Sequence, residues 1–113
     1  MEQTLWARQV TMSGPPDSLH DRHITIVANL FGHFSSQDGH AGGHLLVDRD
    51  AGIVSATSFW ETTEALERTL GSVESAAGRM CRTIWGSAGS WKVEIFKVVG
   101  LKPATRQVGI PEL

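Results

Sequence analysis

The chain has 113 residues, of which 41% are hydrophobic and 19% charged, and its formal net charge is −2. This length predicts one domain, and the small net charge without a Lys/Arg cluster argues against a nucleic-acid partner. No apolar run approaches the roughly 20 residues that span a bilayer, and the N-terminus lacks the pattern of a signal peptide. Cys81 is the single cysteine, so no internal disulfide can form. Together these features predict a cytoplasmic domain with no membrane partner.

The first part of the chain predicts a strand followed by a helix. Residues 5–12 supply the apolar and polar side chains of a strand, and two prolines end it. Asp17 or Ser18 is the predicted N-cap of a helix over residues 19–34, where apolar residues recur at intervals of three and four. Residues 35–43 are polar and rich in glycine, which predicts a loop.

A hairpin, a second helix and a last strand follow. Residues 45–47 predict a short strand, and an Asp-rich turn ending at Gly52 joins it to a strand over Ile53–Trp60. Thr62 or Thr63 is the predicted N-cap of the second helix, which Gly71 is expected to interrupt. The apolar stripe of this helix is Leu66, Leu70, Val73, Ala77 and Met80. Residues 91–99 predict the last strand.

This order of elements predicts an α+β fold. A strand, a helix, a hairpin, a helix and a strand form a four-stranded antiparallel sheet with two helices on one face. The other face is also expected to be apolar, because Phe59 alternates with Trp60 and Phe96 with Ile95. A bare apolar face of this size predicts that two copies pack sheet against sheet in a homodimer.

Residues 58–66, Ser-Phe-Trp-Glu-Thr-Thr-Glu-Ala-Leu, resemble a motif of the antibiotic biosynthesis monooxygenase family. In that family the strand-to-helix join is Trp-Glu-Ser-x-Glu-Ala-hydrophobic, and the preceding Leu-Leu-x-Asp-x-Asp-x-Gly hairpin supports the resemblance. The resemblance covers residues 5–100 and leaves residues 101–113 as a tail of one domain over residues 1–113. It implies a ferredoxin-like dimeric α/β barrel. The family includes cofactor-independent oxygenases of polycyclic aromatic anthrones and haem-degrading enzymes.

The two enzymatic branches of this family differ in their site residues. The haem-degrading branch has an Asn on the first strand, a Trp in the second helix and an iron-binding His. The nearest matches to these three positions are Gln9, Thr69 and Arg79. The quinone-forming branch has a Trp that Trp60 matches, with an Asn and a Tyr where this chain has Ala56 and Leu66. Only Trp60 carries over, so the resemblance implies the fold and not one particular reaction.

The predicted site lies between the sheet and the helices. Strand alternation places Trp60 and Ser58 on the face towards the helices, where Trp60 would be the wall of a pocket for an aromatic substrate. Ser58 and Gln9 would hydrogen-bond that substrate. His23 lies on the apolar side of the first helix and is the candidate general base, because imidazole titrates near neutral pH. The alternative is that Trp60 and His23 pack in the core, with His23 bonded to a backbone carbonyl or to water.

Other residues are weaker candidates. Val27 would contact the substrate, and Trp85 would belong to a lid formed by the Gly/Ser loop, unless that loop only packs on the core. His40 and His44 have a spacing that suits a metal pair on a helix, but two glycines lie between them and further zinc ligands are scarce. We therefore expect no metal there. Cys81 is expected to be a buried, inert thiol.

The sequence thus favours a small cofactor-independent monooxygenase that acts on an aromatic or polyketide-like substrate with O2. In this hypothesis His23 removes a proton from a C–H or phenol group, and the resulting carbanion passes an electron to O2. Three alternatives stay open: a haem-binding or haem-degrading protein, a non-oxidative cyclase or isomerase, and a ligand-binding dimer that is not an enzyme. An open cavity between sheet and helices would favour chemistry over a purely structural role.

Overall fold

The computed structural model describes residues 4–34 and 36–100. The strands are β1 (Leu5–Ser13), β2 (His40–Asp48), β3 (Ile53–Trp60) and β4 (Ser90–Val98). The helices are α1 (Asp21–Phe34), α2 (Thr63–Arg68) and α3 (Leu70–Trp85), with short 3-10 turns at Pro16–Ser18 and Gly86–Ala88. Among the described residues, no helix combines the length and the apolar character needed to cross a membrane.

The four strands form one antiparallel sheet in the order β2-β3-β1-β4, with the helices packed on one face. The predicted α+β fold and its four-stranded antiparallel sheet are therefore confirmed. The predicted tail, residues 101–113, lies outside the described residues.

The first helix begins later than predicted. Pro16–Ser18 forms a 3-10 turn, and Leu19 follows it in an extended conformation with φ −90° and ψ 102°. This extended residue is buried, so the chain must pass over the core before α1 can begin at Asp21. The prediction of an N-cap at Asp17 or Ser18 is therefore wrong.

The second helical segment is divided in two at Thr69, two residues before the predicted break at Gly71. Thr69 has φ −106° and ψ 0°, and it separates α2 from α3. The predicted cap at the start of α2 is confirmed, because the Thr62 hydroxyl accepts a hydrogen bond from the Ala65 backbone N–H at 3.0 Å.

The second strand is longer than predicted, and it begins at His40 rather than at residue 45. Its pairing with β3 shifts register between His40 and Gly43, and Gly42 there has φ 117°. A side chain at Gly43 would meet the carbonyl oxygen of Thr57, so glycine lets β2 approach β3 closely. The prediction of a loop is therefore wrong for residues 40–43.

The sheet face that carries no helix is more polar than expected. Two neighbouring rows across β3, β1 and β4 are Thr57–Gln9–Glu94 and Ser55–Thr11–Lys92. Apolar side chains on this face include the row Phe59–Ala7–Phe96, in which Phe96 is 47% exposed, the pair Leu5–Val98, and Leu46 on β2, which is 56% exposed. The face is therefore mixed, with polar rows beside apolar side chains, so the expectation of an apolar face holds for part of it, and the homodimer stays a prediction.

Candidate functional site

A cavity of about 80 Å³ lies between the sheet and the helices α1 and α3. Both helices present four residues to it at the same spacing, i, i+3, i+4 and i+7, which is one face of a helix. These residues are Val27, Leu30, Phe31 and Phe34 on α1, and Val73, Ala76, Ala77 and Met80 on α3. All eight are apolar.

The floor of the cavity comes from alternate residues of the sheet. β1 contributes Arg8, Val10 and Met12, and β3 contributes Ala56 and Ser58. Arg8 pairs with Ser58 across the two strands, and Val10 pairs with Ala56. The polar side chains are thus concentrated at the Arg8 end of the floor, while the Met12 end joins the main hydrophobic core.

Arg8 is a buried cation at this polar end. The residue is only 2% exposed to solvent. Its Nη1 donates hydrogen bonds to the Leu66 carbonyl oxygen at 3.0 Å and to Thr69 Oγ1 at 2.7 Å. The interruption between α2 and α3 supplies both acceptors. The guanidinium carbon lies 4.9 Å from the centroid of the Trp60 ring, within the range of a cation–π interaction. Burial lowers the pKa of Arg8 to about 10, so the guanidinium stays protonated at neutral pH.

Trp60 is fully buried, and three cavity-lining residues surround it. Its indole Nε1 donates a hydrogen bond to Ser58 Oγ at 2.8 Å, which leaves the hydroxyl proton of Ser58 free to donate elsewhere. His40 pairs with Trp60 across the β2–β3 ladder, and its ring meets the indole edge-on with centroids 5.3 Å apart. Arg8 lies over the face of the same indole.

The protonation state of His40 follows from its contacts. Its Nδ1 accepts a hydrogen bond from the Gly42 backbone N–H at 3.3 Å, so the proton of a neutral ring must be on Nε2. Burial lowers the pKa of His40, and the charge of Arg8 lowers it further, which favours the neutral ring. This Nε2 is buried and has no hydrogen-bond partner within the described part of the chain. The cavity therefore carries an unused donor next to a buried cation.

Comparison with known proteins identifies the fold. No protein-family model matches the chain. Solved structures that resemble it include the oxygenase SnoaB from Streptomyces nogalater, in a variant form (TM-score 0.60, 18% identity, 89% of this chain and 97% of that one). A monooxygenase from the gene ActVA-Orf6 of Streptomyces coelicolor, in complex with nanaomycin D, gives a TM-score of 0.64 at 15% identity (88% and 92%). The chain has the fold of the antibiotic biosynthesis monooxygenases.

These identities show the fold of the antibiotic biosynthesis monooxygenases and not an activity. The NE2512 protein from Nitrosomonas europaea, of unknown function, has a TM-score of 0.68 at 12% identity over 92% of this chain and 98% of its own. Two curated relatives of Mycobacterium tuberculosis, Uncharacterized protein Rv2558 and Uncharacterized protein MT2635, are each 37% identical over 99 residues, or 83% of this chain. This chain spans 39% of the length of those two relatives.

Ser58 and Val27 line the cavity, and Trp60 lies on the predicted face of β3. However, Trp60 lies behind Arg8, Ser58 and His40 and does not itself line the cavity. Gln9 is adjacent to Arg8 and therefore points to the opposite face, where its Nε2 donates a hydrogen bond to Ser55 Oγ at 3.2 Å. The hydrogen bond predicted between Gln9 and a substrate in this cavity is therefore without support from its position.

His23 and Trp85 are buried but do not line the cavity. The Nδ1 of His23 accepts a hydrogen bond from the His20 backbone N–H at 3.1 Å. Burial lowers the pKa of His23, and the charges of Arg22 and His20 act in the same direction. This environment matches the alternative of a core histidine, although the backbone partner is an N–H rather than the carbonyl that the alternative names. The role of His23 as a base stays a prediction, without support from its position.

Trp85 packs against the Gly/Ser loop, because a Cβ placed on Gly89 would lie 2.9 Å from the Cβ of Trp85, as the alternative to a lid predicts. Its Nε1 donates a hydrogen bond to the Pro15 carbonyl oxygen at 2.9 Å, and its ring belongs to the main core cluster. Cys81 lies in the same cluster, and burial raises the pKa of its thiol, as expected of an inert cysteine.

The residues that sequence reasoning missed are Arg8 and His40. Arg8 lies two residues before Val10 and four before Met12, so strand alternation alone places it on the cavity side. His40 was expected in a loop with His44, but both belong to β2, where His44 meets the ring of Phe59 edge-on at 6.3 Å. No group of three or more His, Cys, Asp or Glu within residues 4–34 and 36–100 is placed to hold a metal ion.

The residues present do not fit a haem. Arg79, at the position that the resemblance implies for the iron ligand, is exposed on α3. We therefore derive no reaction through haem.

Proposed function

We propose that this chain is a small cofactor-independent oxygenase that binds an aromatic or polyketide-like molecule in the cavity and oxidises it with O2. The observation that carries this proposal is the apolar cavity with one polar end, formed by Arg8, His40 and Ser58. Two neighbours in fold support it. SnoaB is described as a cofactor-independent oxygenase, and the ActVA-Orf6 monooxygenase was solved with nanaomycin D bound.

The chemistry proposed for the site starts from a ring with an activated CH2 group beside a carbonyl or phenol. Loss of a proton to water gives an enolate, whose oxygen the guanidinium of Arg8 and the donors of His40 and Ser58 stabilise. The enolate passes one electron to O2, and the two radicals combine to form a C–O bond. The resulting peroxide takes up a proton, its O–O bond breaks, and water leaves. The balance is CH2 plus O2 to C=O plus H2O.

The size of the cavity limits how the substrate enters. Its volume of about 80 Å³ is smaller than the roughly 150 Å³ of an engineered cavity that binds benzene. The cavity is partly open to solvent, so a substituted ring can extend out of it and enters fully only when the helices α1 and α3 move apart. Leu30, Phe31 and Phe34, half-buried near the end of α1, form the side of the cavity that would open.

A homodimer in the cytoplasm is part of the proposal. The Phe59–Ala7–Phe96 row supports packing of two sheets, because apolar side chains of this size gain free energy when they are removed from water. Sedimentation equilibrium tests it. We expect a dimer that dissociates in the variant Phe96→Glu, and a monomeric wild-type chain would contradict this part of the proposal.

Oxygen uptake tests the reaction. The purified chain is assayed in an oxygen electrode against hydroxyanthrones and related phenols, with the product followed by absorbance. We expect uptake of one O2 per substrate, and Ser58→Ala should lower kcat/KM by about 100-fold, as loss of one hydrogen bond to a developing charge does. The variant His23→Ala tests the predicted base: with water as the proton acceptor we expect a folded variant to keep its turnover, whereas a folded variant without turnover would support His23 as the base instead. Product formation without uptake would indicate a cyclase or isomerase and contradict an oxygenase.

A further inference from the structure

The polar end of the cavity offers hydrogen-bond donors to a ligand. Both hydrogen bonds that Arg8 makes with described residues leave from Nη1, so Nη2 and Nε have no hydrogen-bond partner there. The Ser58 hydroxyl accepts from Trp60 and keeps its own proton free, and His40 carries an unpartnered Nε2–H. A ligand group that only accepts hydrogen bonds matches this set best.

The charge of Arg8 also has no ion-pair partner in the part of the chain that the structure describes. Within the described residues, ion pairs join Arg49 to Asp21 and Lys92 to Glu94, and neither involves Arg8. The ring of Trp60 offsets part of the cost of burying the guanidinium, but a π face is a weaker partner than a carboxylate. A purely structural role for Arg8 would not explain why the buried Nε2–H of His40 beside it has no hydrogen-bond acceptor.

We propose that the ligand of this cavity is an anion that consists of an apolar ring and one ionised oxygen group, either a carboxylate or a phenolate. The ionised group is bound between Arg8 and His40. This inference deepens the proposed function and rests on it for the place where the substrate binds. The ring lies among the aliphatic and aromatic side chains of α1 and α3. The ionised oxygen faces the guanidinium, the imidazole N–H and the hydroxyl of Ser58. A neutral amide of the same shape satisfies the donors only in part and leaves the charge of Arg8 unpaired.

A matched pair of probes tests this inference. Benzoate and benzamide have nearly the same shape, and only benzoate is charged at neutral pH. Binding is followed by the NMR shift of the Trp60 indole N–H, whose hydrogen-bond acceptor is Ser58. We expect benzoate to bind at least about tenfold more tightly than benzamide, since hydrogen bonds to a charged group are roughly twice as strong as neutral ones. The preference should fall to about twofold or less in Arg8→Gln.

Two further variants complete the test. Arg68→Gln makes the same chemical change at an exposed position of α2 and should keep the preference for benzoate. Arg8→Lys keeps the charge and should keep most of the preference, so it replaces Arg8→Gln as the informative variant if the latter does not fold. Equal affinity for the two probes in the wild type would overturn the inference. So would an undiminished preference for benzoate in a folded Arg8→Gln.

The outcomes separate this inference from the oxygenase proposal, because benzoate has no activated CH2 group and its binding consumes no oxygen. A preference for benzoate in a chain that takes up no O2 with any hydroxyanthrone would support the anion site and contradict the oxygenase. Oxygen uptake by a chain that binds both probes equally would support the oxygenase and overturn the anion site.

Discussion

Filling the cavity should stabilise the fold and abolish ligand binding. Ala77 is 5% exposed and lines the cavity from α3, and Ala77→Leu adds three carbon atoms that point into about 80 Å³ of empty space. A cavity costs roughly 24 cal/mol per Å³. Complete filling would therefore raise the free energy of unfolding by at most about 2 kcal/mol, and we expect about half of that because the new side chain must fit one rotamer.

The same substitution at Ala65 is the matched control. Ala65 is 3% exposed and packs with Trp60 and Leu66 away from the cavity. A Cβ atom placed on Gly39 would lie 2.5 Å from the Cβ of Ala65, which shows how closely that loop covers it. A larger side chain has no space here, so Ala65→Leu should lower the free energy of unfolding by about 1–3 kcal/mol.

Urea unfolding at one fixed protein concentration measures both changes, because the midpoint of a self-associating chain depends on concentration. We expect the midpoint to rise for Ala77→Leu and to fall for Ala65→Leu, with benzoate binding lost only in the former. The reasoning is refuted if Ala77→Leu destabilises the chain as Ala65→Leu does. It is refuted equally if Ala77→Leu binds benzoate with the affinity of the wild type.

Three further predictions concern stability. Thr62→Ala removes the hydroxyl that caps α2 and should cost about 1 kcal/mol in urea unfolding; no change would show that the cap is dispensable. His23 and His40 have pKa values that burial lowers below 6.5, so the unfolded chain binds more protons than the folded one. The free energy of unfolding should therefore fall as the pH is lowered below about 6.5 and level off below the folded pKa values; a flat profile there would contradict it. Gly52→Ala places a Cβ against the Gly14 carbonyl oxygen at φ 68° and should lower the thermal midpoint, whereas an unchanged midpoint would show that the turn can relax.

Strand alternation and helix periodicity are sufficient to predict the layers of this fold. The alternation of Ser58 and Trp60 predicts the correct face of β3, and Thr62 predicts the start of α2. The join between β3 and α2 resembles one family closely enough to predict the topology. These features depend on neighbours in sequence, which a single chain displays directly.

The composition of the site depends on contacts that are distant in sequence. Arg8 meets the carbonyl of Leu66, 58 residues away, and this acceptor is accessible because the helical segment breaks at Thr69. His40 enters β2 through a bulge that only Gly42 and its neighbour permit. A periodic pattern contains no information on either event.

The position of His23 illustrates a different limit of prediction from sequence. Helix periodicity predicts that its side chain is buried, which is correct. Whether a buried imidazole faces a cavity or the backbone depends on the turn before the helix. Here that turn places the His20 N–H against the ring, and the apolar cavity begins one turn further along α1, at Val27.

The most direct test of the central claim is the origin of the oxygen atom in the product. A hydroxyanthrone is incubated with the purified chain under ¹⁸O2 in ordinary water, and the product mass is measured immediately. We predict one ¹⁸O atom in the product and its loss in Ala77→Leu. A product that takes its oxygen from water, or that has the mass of the substrate, would contradict an oxygenase at this cavity.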